Sequence, residues 1–339
     1  MKQLICHATG KTEIADVAEP MLRDGDILLK LEACGICGTD LMKVYDEGTA
    51  KPVQLGHEIV GTVADVGKGV IAFKPGTRVA AAHHAPDLQS HYSARGSETQ
   101  DPHFKATNVD PGGFAEVIRV PAELVPHTVH TVPDHVPSLR ATFMEPLACC
   151  LRALERVPLR TGDTVLVVGV GSIGMLFLPL ILGAGAAVVA ADVKPDRLDM
   201  AREWGAQETP VVGKDDVAAA TRKRSGGRGA DVVILTTTNP ATLDLALDSV
   251  RDGGTIIPFG VKPGSTLPFD FWQIYRREIS LVTSYSATPA GLAKAMKLLS
   301  GAGFEFEKTI SEVVPLTRAP QAFEKLHAAK AAKIIVSAG

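Results

Sequence analysis

Three short motifs hold residues whose types suit a metal. "ACGICGTD" (33–40) sets Cys34 and Cys37 in C-x-x-C spacing, and "GHE" (56–58) brings His57 and Glu58 in, His57 standing twenty residues after Cys37. "MEPLACC" (144–150) adds Glu145 much later. A thiolate, an imidazole and a carboxylate together suit zinc, which takes S, N and O ligands in tetrahedral geometry. Singly, each has an ordinary explanation, since C-x-x-C can be two small core residues and a lone histidine is usually structural. Drawn together from separate segments, a cysteine, His57 and Glu145 are what an open catalytic zinc requires. Glu145 falls where the texture of the chain changes, so the expected position is a cleft between two domains.

A second chemistry follows. "TVLVVGVGSIGMLF" places Gly169, Gly171 and Gly174 in G-x-G-x-x-G, with Ser172 and Ile173 inside the motif. The first glycine permits a tight turn, the second lets backbone amides approach a pyrophosphate, and the third allows close helix–strand packing. The helix N-terminus adds partial positive charge. The next apolar run ends in Asp192, 18 residues past Gly174, where a carboxylate can accept the adenosine ribose hydroxyls. It would also repel the extra phosphate of NADP, so NAD is favoured. Lys194 and Arg197 soften that preference without reversing it.

These motifs need elements to position them. Up to about residue 135 the segments "DILLKLEAC", "GHEIVGTVADVG", "GTRVAAA" and "FAEVIRVP" are apolar or alternating, separated by Gly, Pro and Asp, as in an all-β barrel. From Pro137 "SLRATFMEPLACCLRALERV" reads as helix, and strands then alternate with helical patterns, which predicts a parallel sheet with helices on both faces. "PAGLAKAMKLLSGAG" reads as helix and "KIIVSAG" as a closing strand. The fold class is α/β: a Rossmann doubly wound domain over 141–275, inserted into a β-rich domain of 1–140 and 276–339. Residues 164–191 carry no charge over 28 positions, long enough to span a bilayer. Glycine and proline interrupt the run, and a buried strand–helix–strand unit fits it better.

A net charge of −3 gives no electrostatic case for nucleic acid or an anionic membrane. Five unevenly placed cysteines make no disulfide framework, and the start has no apolar signal segment. A cytoplasmic location is expected.

With "CGICGTD", "GHE", "EPL" and "GVGSIG" followed by Asp192 in order, nearly the whole chain resembles the zinc-dependent medium-chain dehydrogenase/reductase superfamily. "EPL" and "NVDPGGFAE" are most similar to its polyol, sorbitol and threonine dehydrogenase branch. The resemblance implies a GroES-like catalytic domain, a Rossmann domain, NAD(P) and an active site between them. It implies Cys37, His57 and Glu145 as zinc ligands and Cys34 as a neighbour. Glu58 would be a fourth ligand or alternate with water or substrate oxygen. Asp40 would orient His57. It further implies a homodimer or homotetramer formed through the Rossmann domain.

Relatives also carry a structural zinc on four cysteines spaced C-x2-C-x2-C-x7-C. Here those positions hold Asp87, Ser90, Ser93 and Asp101, within the polar stretch "HHAPDLQSHYSARGSETQDPHF" (83–104). The expectation is a retained loop without its zinc, and hence one zinc per chain. The alternative is a rebuilt site from His84, Asp87, His91 and Asp101, against which two neutral serines argue.

The reaction so implied is oxidation of a polyol or sugar-like secondary alcohol to a ketone, with hydride passing to NAD and Thr39 accepting the alcohol proton. Relatives commonly carry a relay histidine where this chain has Met42. Tyr285 resembles a substrate-side tyrosine, and Ser284 before it gives no support to a phosphorylated substrate. Cys149 and Cys150 read as small buried residues. Two other outcomes share the sequence: internal oxidation leading to elimination or epimerisation, and a non-catalytic dinucleotide-binding redox sensor. The retained Cys37, His57, Glu58 and Glu145 weigh against the sensor.

Overall fold

In "ILLKLEACG" buried positions alternate with more exposed ones until the last three, where every residue is buried. The strand Ile27–Gly35 therefore buries Ile27, Leu29 and Leu31 on one face while Lys30 faces water, as a period of two demands. The computed structural model describes residues 1–301, 303 and 305–339. The chain forms two compact units, Met1–Ala148 with Ser286–Gly339, and Cys149–Tyr285.

In the first unit Ile27–Gly35 is central to a seven-stranded sheet. It pairs antiparallel with Glu58–Val66, with Val117–Val120 and with the late strand Ile334–Ser337. Glu312–Pro315 lies parallel to Ile334–Ser337, so the tail supplies two strands of the early sheet. Arg78–Ala81 and Val129–Thr131 extend the other edge. Phe114 and Phe323 meet edge to face at 5.6 Å in the core beneath. The early segments thus form the β-rich domain expected of them, with residues of the helix Ala319–His327 packed into its core.

The second unit is a parallel sheet in the order Ser280–Leu281, Val250–Pro258, Ala230–Leu235, Thr164–Val168, Ala187–Ala191. Thr164–Val168 and Ala230–Leu235 are buried at every position, as parallel strands covered on both faces must be. The charge-free run resolves into Thr164–Val168, the helix Ser172–Gly183 and Ala187–Ala191. Among the described residues no helix is long and apolar enough to cross a membrane. The single helix expected after Pro137 is two, Ser138–Ala141 and Met144–Glu155.

Candidate metal and dinucleotide sites

Two residues beyond the central strand, Cys37 caps the helix Gly38–Tyr45, and Asp40 occupies its first turn, where a carboxylate complements the positive end of the helix dipole. The Asp40 carboxylate is fully buried and accepts the Cys37 N–H at 3.0 Å and the Gly56 N–H at 2.9 Å. One of its oxygens also lies 3.4 Å from His57 Nδ1. A single side chain thus ties the cysteine segment to the histidine segment. Gly56 makes the turn before His57 with φ of +82°, and a methyl there would meet Gly113 backbone at 3.0 Å.

Burial alone would push the Asp40 carboxyl up, but His57 and the two N–H donors hold it below its ordinary value. For His57 burial works downward, and Asp40 followed by Cys37 overcomes it, raising the imidazole well above its usual range. An excess of negative charge retains a proton here and would equally draw a metal ion. Cys34 is fully buried, and burial first, then Asp40 and Glu58, drive its thiol well above the ordinary value.

Register places Gly35 opposite Glu58 on the neighbouring strand. Glu58 is 1% exposed and ion-paired with Lys333, itself 3% exposed, whose Nζ also donates to the Ile36 carbonyl at 3.2 Å. Burial would lower the Lys333 pKa, but Glu58, Cys37 and Asp40 together raise it above its ordinary value. Sequence reasoning missed Lys333, because a lysine preceding a closing strand carries no signal of a partner 275 residues away.

Cys37, His57 and Glu58 bring their ligand atoms within 4.8 Å of one another. Glu145 is buried in the first turn of Met144–Glu155. Glu58, expected as a fourth ligand, is the carboxylate grouped with Cys37 and His57, and it is paired with Lys333. Thr39 is exposed at the second helical residue, and Met42 is half-buried one turn on. The set fits zinc on two observations. Sulfur, nitrogen and oxygen donors are grouped together, and Glu58 Oε1 is buried without a hydrogen bond.

The polar stretch 83–104 begins on the same cluster. The His83 ring lies tilted 4.7 Å from His57 and 3.8 Å from His84, which is 5.0 Å from Phe104. Burial lowers His83 well below its ordinary pKa and brings His84 to about 4. The four positions equivalent to a cysteine-held zinc are joined by hydrogen bonds. Ser93 Oγ donates to the Asp87 carbonyl at 2.7 Å, Ser90 Oγ accepts the Ser93 N–H at 3.2 Å, and Asp101 accepts the N–H groups of His103 and Phe104. The Ser90 hydroxyl, foremost, holds the Asp101 carboxyl below its ordinary value. Among the described residues His84, Asp87, His91 and Asp101 do not form a metal-ligand group: His84 Nδ1 faces the Thr107 carbonyl at 2.5 Å, and Asp101 caps the helix Pro102–Ala106.

In the second unit the glycine motif forms a cradle ahead of Ser172–Gly183. Gly169 has φ of +88°, and a methyl on it would lie 2.3 Å from Thr236 Oγ1; one on Gly174 would lie 2.0 Å from the Gly169 carbonyl. Ser172 and Ile173 are the first two residues of that helix. Asp192 accepts the N–H of Val170 and of Lys194, each at 2.9 Å, and lies 3.4 Å from Arg197 Nη1. Its carboxylate therefore fastens the glycine turn to the end of the second strand. This closely packed turn, with an acid at the next strand end, fits a dinucleotide. Tyr285 is exposed, and the Ser284 hydroxyl is buried without a partner.

Residues 23–134 match the alcohol dehydrogenase GroES-like domain, and residues 169–301 match zinc-binding dehydrogenase. The chain is 31% identical to an erythritol/L-threitol dehydrogenase of Mycolicibacterium smegmatis, over 94% of this chain and 91% of that one. It is 28% identical to a D-arabitol-phosphate dehydrogenase of Enterococcus avium, over 99% of this chain and 97% of that one. Among solved structures, a zinc-binding dehydrogenase-like protein of Sinorhizobium meliloti bound to NADP superposes with a TM-score of 0.88 at 28% identity, covering 99% of this chain and 98% of that one. The cluster of cysteine, histidine and glutamate, the glycine cradle and these likenesses together place the chain in the zinc-binding medium-chain alcohol dehydrogenase family, in its polyol dehydrogenase branch.

Proposed function

We propose that this protein oxidises a secondary alcohol of the polyol or sugar-like class to a ketone, using one zinc per chain and NAD. The observation that carries the reading is the buried group of Cys37, His57 and Glu58 in a chain of this family. Cys37 and His57 are the proposed ligands, with Glu58 or Glu145 completing the set. Zinc there would supply Lewis-acid polarisation of the alcohol, and the dinucleotide would accept hydride. Asp40 holds Cys37 and the His57 turn in one arrangement. Lys333 pairs with the buried Glu58 carboxylate. The exposed Thr39 hydroxyl would accept the alcohol proton while releasing its own towards the dinucleotide ribose or water, and Met42 contributes apolar surface rather than a relay. Gly169, Gly171, Ser172, Ile173 and Gly174 cradle the pyrophosphate, while Asp192 and Arg197 meet the adenosine ribose, with NAD favoured over NADP.

A single zinc is supported by the Asp87, Ser90, Ser93 and Asp101 positions, whose groups are engaged with one another and with nearby backbone. A homodimer or homotetramer is supported by the exposed Phe271, Trp272 and Tyr275 beside the edge strand Ser280–Leu281. Five free cysteines support a reducing, cytoplasmic setting. Elimination or epimerisation by internal redox is not favoured, since the relatives named above are dehydrogenases.

The test is metal content per chain by mass spectrometry, with NADH formation from erythritol and sorbitol followed in parallel. About one zinc, lost together with turnover in Cys37→Ser, is expected. Two zincs, or turnover surviving loss of the metal, would overturn the reading.

A further inference from the structure

His83 differs from the other histidines of its cluster in what its nitrogens do. His57 turns one nitrogen to Asp40, and His84 turns one to the Thr107 carbonyl. The His83 ring packs against two neighbouring rings, tilted to both, with centroids at 4.7 and 3.8 Å. It is half-buried, and among the described residues no protein group is recorded as hydrogen-bonding its nitrogens. An imidazole packed against two rings beside the metal-ligand cluster, its nitrogens not taken up by the protein, is placed to meet a polar group of a ligand.

We propose that His83 is a specificity residue that hydrogen-bonds the hydroxyl on the carbon next to the one being oxidised, so that the enzyme selects vicinal diols and longer polyols over simple secondary alcohols. This rests on the dehydrogenase reading above. An oxygen held at the Cys37–His57–Glu58 cluster sits next to the His57 ring, and the hydroxyl one carbon–carbon bond further on comes within reach of the ring packed against it. A simple secondary alcohol has nothing to offer there and would leave the imidazole edge desolvated and unpaired. A histidine present only for packing would be replaceable by an aromatic ring of similar size at no cost in selectivity.

The pair 2-butanol and meso-2,3-butanediol differs by that one hydroxyl. Steady-state kinetics on the zinc-loaded full chain should show the diol preferred. His83→Phe should lower kcat/KM for the diol by about tenfold, mainly through KM, and leave 2-butanol within about twofold. His83→Asn, which keeps a donor and an acceptor, should retain part of the preference, and zinc content should be unchanged in both variants. Equal losses on the two alcohols, loss of zinc in both variants, or no diol preference in the wild type would overturn the assignment. Failure of the dehydrogenase reading looks different: zinc-loaded wild type that forms no NADH from either alcohol removes the assignment along with that reading.

Discussion

Gly35 and Glu58 face each other across paired strands so closely that a methyl group on Gly35 would lie 1.8 Å from a Glu58 carboxylate oxygen and 2.9 Å from Lys333 Nζ. The absent side chain is the space in which the buried ion pair lies. Gly35→Ala should displace Glu58 or bend the strand, at a cost of about 1–3 kcal/mol typical of overpacking. Denaturant midpoints and zinc titration check this, and a variant with unchanged stability and metal affinity would refute it.

Lys333 tests the same pair from its other end. Lys333→Met leaves a buried carboxylate without its cation, which typically costs about 3–5 kcal/mol. Adding Glu58→Gln should recover much of that loss, because the unpaired charge is then gone. Chemical denaturation of the two variants decides, and equal stabilities would mean that the pair is not coupled as described.

Asp40 acts through its neighbours. Asp40→Asn keeps the shape but removes the charge facing His57 and sets a donor against the Cys37 or Gly56 N–H. Zinc affinity should fall by about 10–100-fold, the usual cost of losing such a support. Competition with a chelator measures this directly, and an affinity within about twofold of wild type would count against the role.

The His84 ring predicts an acid limb of stability. Burial lowers its pKa from 6.5 to about 4, with the Thr107 carbonyl opposing in part. A depressed folded-state pKa means that the unfolded chain takes up the proton more readily. Stability therefore falls as pH drops from about 6.5 towards 4 and levels off below, with His84 contributing no more than about 3 kcal/mol. His84→Gln should flatten that limb in thermal melts taken across the interval, and an identical pH profile would show that other groups set it.

How far the chain could be read beforehand depended on the reach of each signal. Cys37, His57 and Glu58 lie within 22 residues of one another, in motifs whose spacing already implied a metal, and the glycine turn with Asp192 is equally local. Alternation in Ile27–Gly35 and continuous burial in Thr164–Val168 follow from their residue types. Lys333 was invisible because its partner is fixed by strand pairing between the tail and the central strand, which no local pattern encodes. The same limit hid the packing of His83 against His57 and the mutual hydrogen bonding of Asp87, Ser90 and Ser93, where only the missing cysteines were legible.

The pairing of Ile334–Ser337 with Ile27–Gly35 also sets a timetable. Strand order in the first unit joins residues on either side of the whole Cys149–Tyr285 unit, so its central sheet is incomplete until that intervening stretch has been made. Loop closure over such a separation makes the contact late, since the entropy lost comes before the pairing that rewards it. Until then Glu58 has no ammonium beside it. The buried pair of Glu58 and Lys333 is therefore among the last contacts of the first unit to form.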